Sequence, residues 1–429
     1  MKKLNVYKFV LVLPIFNLVF DLIVLSDVNE TTIFPQLRAV ALLFVVLYIW
    51  KFHIKLTKLN ILLFVFLAYL LILIPFSSDV AYSLRTYIKV FVTMMMFPVG
   101  YYTITNFDLL NKLNKSMVAL IGFFVLYTLV STYFDIGLGL YLSDEDFSTG
   151  FIYGSGLYPI TYAIILLPII NGLEKNRTKR TLLSLLAIAS IIILMISLRR
   201  TAVLAIVVAY GLYFLFYKKR SQAVKYGVVT IVFLAITYPV YSPLLMERFE
   251  ARFYEEGQGY SKLQPENQAR FIETIIVYDE IFSFESVINS LFGEEVFNSP
   301  GHYGNGELAS WRKLHVDFNV ILHGAGIVGL FLYLLLHWKM ISFYRRIASK
   351  IPENKTIQTV RVLFLSLWAT SLFISLVGGM HVIAFRTIAY LYMGALLGLL
   401  HRHAFVAVKR KREAVSRGRV GELSAVSPN

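Results

Sequence analysis

Long apolar stretches, separated by short polar segments, dominate the chain. Many of them reach about 18 residues, the length that an α-helix needs to cross the hydrocarbon core of a bilayer. Apolar and polar residues do not alternate strictly within them, which favours helices over a closed β-barrel. A window of this length predicts about twelve spans, near residues 8–25, 33–50, 59–76, 84–105, 117–134, 157–172, 181–198, 201–217, 225–242, 315–338, 359–378 and 381–400.

The polar segments divide the chain into four predicted parts. They are an N-terminal bundle of about nine spans in residues 1–242, a large helical loop in 243–314, C-terminal transmembrane helices in 315–400 and a basic tail in 401–429. Within the loop, Phe271, Ile272, Ile275 and Ile276 recur at helical spacing. The predicted fold class is therefore an all-α polytopic membrane protein with one large helical loop outside the bilayer.

Composition agrees with the membrane class. Hydrophobic residues make up 57% of the chain and charged residues 16%, whereas soluble domains have about 45–50% and about 25%. The chain contains no cysteine, which excludes disulfides and cysteine-based metal sites. The N-terminus leads into an apolar run without an A-x-A-like cleavage site, so we interpret it as an uncleaved first span.

The distribution of basic residues predicts the orientation. Most of the 41 lysines and arginines fall in alternate segments that are inside if the N-terminus is cytoplasmic. The net charge of +15 then reflects membrane topology and does not indicate nucleic acid as a partner. Both termini are predicted to be cytoplasmic, and the loop 243–314 is predicted on the outer face. The end of the tail, residues 409–429, is predicted to be disordered, with its basic run on anionic lipid headgroups.

Several cations break this pattern, because they are predicted on the outer side. Arg199 and Arg200 lie at a turn between two spans, and Arg270 lies in the outer loop. A guanidinium group matches pairs of phosphate oxygens, so converging arginines would suit a lipid diphosphate. The alternatives are snorkelling of Arg199 and Arg200 to headgroups and a solvated helix face for Arg270. Three further cations allow structural or functional interpretations: Arg85, Lys89 and Arg386.

The stretch from His315 to Leu334 carries the candidate chemistry. A neutral imidazole where the loop meets the membrane could accept a proton from an incoming hydroxyl, since histidine titrates near neutral pH. Asp317 lies at a predicted helix start, and we interpret it as a helix cap in preference to a group that orients the histidine. Glycines later in the stretch permit close helix packing. We interpret the other histidines of interest as structural or exposed: His302, His323 and His381.

The same stretch resembles a known signature. His315, Val316, nine residues and then Gly326-Ile-Val-Gly329 is similar to the signature of the O-antigen ligase and polymerase superfamily. Val316 departs from the pattern, because the ligases usually carry Asn, Ser or Gln there. The form from His315 to Phe318 looks more like the polysaccharide polymerases of that superfamily.

Two further stretches resemble this superfamily. SLRRTAVLA is similar to a family turn between two spans, with Arg200-Thr201-Ala202 on the match. The segment from Gln268 to Glu295 resembles a family segment that begins with an arginine and ends in a Leu/Phe-Gly turn, and Arg270 and Gly293 occupy those places. The resemblance covers roughly residues 180–340 in motif detail and the rest only in predicted topology.

The resemblance implies a glycosyltransferase in the bacterial cytoplasmic membrane. Such enzymes use undecaprenyl-diphosphate-linked glycans as donors and require no nucleotide sugar, metal or other cofactor. By this analogy His315 is the general base, and Arg199, Arg200 and Arg270 bind the donor diphosphate. Membrane lipids and a chain-length regulator are the further partners implied. The acidic stretch Asp144–Asp146 has no histidine nearby, and we interpret it as a solvated loop instead of a metal site.

Alternative functions remain open at the level of sequence. An O-antigen ligase would transfer the glycan to lipid A core, and other membrane glycosyltransferases would use peptidoglycan precursors or protein acceptors. A transporter of lipid-linked sugars is expected to show internal repeats and charges deep in many spans. The chain shows no such repeat and has one large predicted loop, so polymerisation of repeat units for O-antigen, capsule or exopolysaccharide is the favoured prediction.

Overall fold

A computed structural model describes most of the chain, in the segments 6–26, 34–55, 57–137, 147–152, 154–197, 200–217, 238–239, 242–243, 246, 269–297, 300–301, 312–352, 354–376 and 383–425. The described segments form α1 (Val6–Ser26), α2 (Phe34–His53), α3 (Lys58–Leu73), α4 (Val80–Thr103), α5 (Phe107–Tyr133), α6 (Tyr158–Ile165), α7 (Leu167–Leu173), α8 (Arg177–Ile196), α9 (Arg200–Phe216), α10 (Ala269–Phe282), α11 (Val287–Phe292), α12 (Asp317–Ala348), α13 (Lys355–Ser375) and α14 (Ile383–Ala425). They also contain two 3-10 helices, Ile74–Phe76 and Gly154–Leu157, and an antiparallel pair of two-residue strands, β1 (Pro300–Gly301) and β2 (Arg312–Lys313).

The helices agree with the predicted fold class, but the number of spans is not confirmed. A helix or a pair of helices lies at each predicted span except 225–242, of which only residues 238–239 and 242 are described. Six described helices are long and apolar enough to cross a membrane: Lys58–Phe76, Phe107–Tyr133, Arg177–Ile196, Asp317–Ala348, Lys355–Ser375 and Arg386–Lys409. The predicted span 157–172 is instead two short helices, because Pro168 near the start of α7 has no backbone N–H to continue α6.

The C-terminal tail differs from its prediction. Helix α14 continues through Ala425, so most of residues 409–429 are helical where we predicted disorder. Alanine, arginine, glutamate and lysine, which are frequent in this stretch, have high helix propensity. The costly nucleation step has already been completed by the apolar first half of α14, and further residues extend an existing helix.

Helices α4 and α14 pack closely along their length. A Cβ atom at Gly394 would clash with the carbonyl group of Phe97, and one at Gly100 would clash with that of Leu391. The two glycines therefore let the backbones approach each other, as the small residues of membrane helix pairs commonly do. One buried hydrophobic core also joins the other helices, with α12 against α3, α9 against α13 and α1 against α5.

Large apolar side chains also cover the outside of the bundle. Leu126, Leu129 and Phe331 are 65%, 63% and 61% exposed. Soluble monomers rarely expose so many large apolar residues over contiguous faces. The exposed faces of the apolar helices are therefore suited to contact lipid, in agreement with a membrane protein.

Helix α12 is broken at Gly326, which adopts φ +63° and ψ −168°. The break separates residues 317–325 from residues 327–348 and frees carbonyl groups from their usual helical partners. The backbone N–H of Glu294 donates to the carbonyl oxygen of His323 at 2.7 Å, and the Tyr69 hydroxyl donates to that of Ala325 at 2.8 Å. The segment after α11 and Tyr69 of α3 thus replace helical hydrogen bonds. Gly324 and Gly326 admit the segment after α11 where we expected a neighbouring helix.

Replacement of Gly326 by alanine is expected to destabilise the protein by more than about 2 kcal/mol. The positive φ disfavours any residue with a Cβ atom, at about 1–2 kcal/mol, and the new Cβ would lie 2.6 Å from the Gly293 nitrogen. Thermal unfolding in detergent would measure this as a melting temperature several degrees lower. Gly122→Ala on α5 is the matched control, since no atom beyond its own turn of helix lies within 4 Å of its Cβ position, and alanine has the higher helix propensity. Equal melting temperatures for the two variants would contradict the prediction.

Candidate active site

His315 lies at the head of α12, two residues after strand β2. Helix α12 begins at Asp317, so the histidine belongs to the segment that enters the helix. The side chain is 52% exposed, and its imidazole is therefore open to solvent or substrate. The position agrees with the prediction that His315 lies where the loop meets a membrane helix.

Glu273 on α10 holds this entry segment in place. Its side chain is fully buried, and its Oε1 atom accepts hydrogen bonds from the backbone N–H groups of His315, at 3.0 Å, and Val316, at 2.9 Å. The same oxygen accepts from the Asn319 side-chain amide at 3.2 Å. Backbone N–H groups at a helix start lack helical partners and favour a negative charge. The carboxylate of Glu273 therefore binds the two amides just before the first helical residue, including that of the N-cap residue Val316.

The Glu273 carboxylate also faces the imidazole of His315. Its Oε2 atom lies 4.0 Å from the Nδ1 atom of His315. This separation is longer than a hydrogen bond, but catalytic contacts are often long without substrate and tighten when it binds. A carboxylate on the Nδ1 side favours the tautomer that leaves Nε2 as the proton acceptor. The arrangement can therefore provide an oriented general base with one face open.

Asp317 has a different role from the helix cap that we predicted. Its side chain is fully buried and forms an ion pair with Arg386, which is 3% exposed. Arg386 Nη1 also donates to the Ser375 hydroxyl at 3.2 Å. The interpretation of Asp317 as the cap is thus wrong, because the N-cap position is Val316, no side chain caps the helix there, and an arginine from α14 binds the Asp317 carboxylate. Arg386 is therefore a structural partner within the bundle. The sequence had allowed either a structural or a functional interpretation of this residue.

A second group of ionisable side chains lies beside the break in α12. Nδ1 of His323 is 3.4 Å from Oε2 of Glu280 and 4.0 Å from Oε2 of Glu294. The hydrogen bond with His323 lowers the pKa of Glu280, whereas the neighbouring Glu280 raises the pKa of Glu294. His323 is 6% exposed, so it is buried beside these two acidic side chains, which we did not predict as its neighbours.

Of the three predicted arginines, the structure describes only the backbone of Arg200 and Arg270. Arg270 is the second residue of α10, one turn before Glu273, and α10 packs against α12. Arg200 is the first residue of α9. Arg199 lies outside the described residues, as do the side chains of Arg200 and Arg270. The structure therefore brings the helix of Arg270 to His315, and the convergence of the three arginines on a diphosphate stays a prediction. His302, His381 and Asp144–Asp146 also lie outside the described residues.

The sequence contained a signal for the acidic residues that we did not predict. The apolar positions that indicated a helix here are not its most buried ones, because Phe271 and Ile275 are 47% and 54% exposed. The fully buried residues are Glu273, Val277 and Ile281, at a spacing of four. In a membrane protein, an apolar helix face can contact lipid while a polar face points inward. The pattern visible in the sequence was a pair of glutamates, Glu273 and Glu280, about two helical turns apart in α10.

Comparison with known proteins adds no assignment. The chain matches no protein-family model, and a search of curated proteins found no significant match.

Proposed function

We propose that this protein is a membrane glycosyltransferase that polymerises undecaprenyl-diphosphate-linked oligosaccharide repeat units on the outer face of the bacterial cytoplasmic membrane. The observation that carries the proposal is the half-exposed imidazole of His315 beside the buried carboxylate of Glu273 at the head of α12. An oriented histidine at the end of an apolar helix suits proton abstraction from a hydroxyl that arrives on a lipid-anchored substrate.

The reaction requires one proton transfer and one bond exchange. Nε2 of His315 takes the proton from an acceptor sugar hydroxyl as its oxygen attacks the anomeric carbon of the donor glycan. The bond between that carbon and the diphosphate oxygen breaks, and undecaprenyl diphosphate leaves with the electron pair. Glu273 stabilises the imidazolium that forms, because its carboxylate lies 4.0 Å from Nδ1.

The leaving diphosphate needs positive charge, which Arg270, Arg200 and Arg199 would provide. Guanidinium groups bind phosphate oxygens in pairs and stabilise the charge that develops on the leaving group. Arg270 precedes Glu273 by one turn of α10, and this spacing would place a diphosphate near the histidine. The acceptor is a second lipid-linked repeat unit, so both substrates would reach the site from the membrane.

Purified protein in detergent or proteoliposomes, incubated with lipid-linked repeat units alone, tests the proposal. A ladder of products that differ by one repeat unit, with release of undecaprenyl diphosphate, is the expected result. Transfer only after lipid A core or a protein acceptor is added would instead identify a ligase or a protein glycosyltransferase. Movement of intact lipid-linked units across the vesicle membrane without new glycosidic bonds would identify a transporter.

Glu273→Gln is expected to lower the polymerisation rate about 100-fold, because misplacement of a catalytic group by about 1 Å has an effect of this size. The amide keeps the size of the side chain but removes the negative charge and one of the two oxygen acceptors. The KM for the lipid-linked substrate should change little, since Glu273 touches the base and not the glycan. Turnover and KM would be measured in the ladder assay.

Glu285→Gln, an exposed carboxylate in the segment between α10 and α11, is the control and should retain wild-type turnover. A Glu273→Gln protein with normal turnover and an unchanged melting temperature would contradict the positioning role.

A further inference from the structure

Three side chains that can bind a metal converge from three parts of the fold. Glu280 comes from α10, Glu294 from the segment after α11, and His323 from α12. One ligand atom from each residue lies within 4.8 Å of the other two. The proposed glycosyl transfer uses none of the three, so the group is separate from the proposed base.

The backbone around this group is closely packed. The Glu294 N–H donates to the carbonyl oxygen of His323 at 2.7 Å, so two of the three residues are joined through the main chain. Gly293 has φ +83°, and a Cβ atom there would clash with the backbone of Gly324 and Ala325. The position of Glu294 relative to His323 is therefore set before any ligand binds, which reduces the entropy lost on binding.

The three side chains form a site that is open to solvent on one side. His323 is 6% exposed, whereas Glu280 and Glu294 are 35% and 47% exposed. A buried imidazole at the base and two carboxylates at the rim leave an entry path for an ion and room for a water ligand. Two carboxylates this close repel each other unless a proton or a cation lies between them, and a bound cation would remove this repulsion.

We propose that Glu280, Glu294 and His323 bind one divalent transition-metal ion, with zinc as the best fit. Ligands at about 2.1 Å from a tetrahedral zinc ion lie about 3.4 Å from one another. Nδ1 of His323 is already 3.4 Å from Glu280 and 4.0 Å from Glu294, so a small closure of the Glu294 side chain completes three positions. An imidazole ligand favours zinc over magnesium and calcium, which prefer oxygen ligands only.

The bound ion would cross-link α10, the segment after α11 and the first half of α12. It would link α10, which carries Glu273, to the first half of α12, whose head carries His315. The metal is thus assigned a structural role, and the closing experiment uses no glycan substrate, so its result is independent of the proposed enzyme activity.

Metal binding would be measured on full-length protein purified in detergent with a histidine-free affinity tag and stripped with a chelator. Titration with Co²⁺ should give the visible absorption of a tetrahedral site, which Zn²⁺ should displace. After zinc is added back and the excess is removed, elemental analysis should find one zinc ion per chain. Zinc should also raise the melting temperature of the stripped protein.

The variants decide whether these three residues form the site. Glu280→Gln/Glu294→Gln is expected to bind zinc more than about 100-fold more weakly and to lose the zinc-dependent rise in melting temperature, and His323→Gln should behave in the same way. The matched control is Asp279→Asn, an exposed carboxylate next to Glu280, which should bind like the wild type. The proposal is overturned if the wild type binds no stoichiometric zinc, or if the double variant binds zinc as tightly as the control.

Discussion

Replacement of His315 by alanine is expected to abolish polymer formation, with a fall in rate of about 10²–10⁴-fold, the usual contribution of a positioned general base. The imidazole is half exposed, so its removal should leave the packed core in place and the protein folded. Glu273 would still bind the two entry N–H groups, because those bonds go to the backbone. The ladder assay with equal amounts of membrane-embedded protein would measure the loss.

Arg270→Ala is the companion variant for the donor side, and it too should leave single repeat units unpolymerised. Arg345→Ala, an exposed arginine near the end of α12, is the control for loss of a positive charge and should form normal polymer. Long polymer made by the His315→Ala protein would remove this residue from the mechanism, and long polymer from Arg270→Ala would remove the arginine.

Asp317→Asn is expected to destabilise the protein by about 3–5 kcal/mol, the typical effect of removing one partner from a buried ion pair. The variant leaves Arg386, which is 3% exposed, with the Ser375 hydroxyl but without a counter-charge. Water cannot solvate the guanidinium there, so the whole desolvation penalty remains. Thermal unfolding in detergent and the yield of membrane-inserted protein would both report the loss.

Asp317→Asn/Arg386→Met separates the missing charge from the lost contact. The double variant removes both charges and should recover most of the lost stability, because buried ion pairs can often be replaced by apolar groups at little cost. A coupling energy near zero in this double-mutant cycle would contradict the buried pair. Asp108→Asn, an exposed carboxylate in the first turn of α5, is expected to change stability by less than about 0.5 kcal/mol.

The sequence was sufficient to predict the helices and the membrane class. Apolar stretches of the required length leave a helix as the structure that satisfies every backbone group without water. The sequence could not show which of the helices are long enough to cross the membrane. The predicted span 157–172 is two short helices, and six described helices meet the length and hydropathy requirement for crossing.

The sequence also identified His315 as the residue at the head of an apolar helix, because a polar residue at that point is visible in a local pattern. The glycines of the same stretch were predicted to serve helix packing. Gly326 instead breaks α12, since its positive φ and its contacts with the backbone after α11 depend on a segment that the local pattern does not include.

Only the tertiary structure decided which charges are partners. Glu273 and His315 are 42 residues apart, and Asp317 and Arg386 are 69 residues apart. Helix formation depends on neighbours within one or two turns, so its signal repeats along the sequence. A buried carboxylate instead finds its partner through the packing of distant helices, and the free energy of that pairing depends on burial, which local sequence does not set. For this reason the helices and the histidine could be predicted, whereas the partners of Glu273, Asp317, Glu280 and His323 could not.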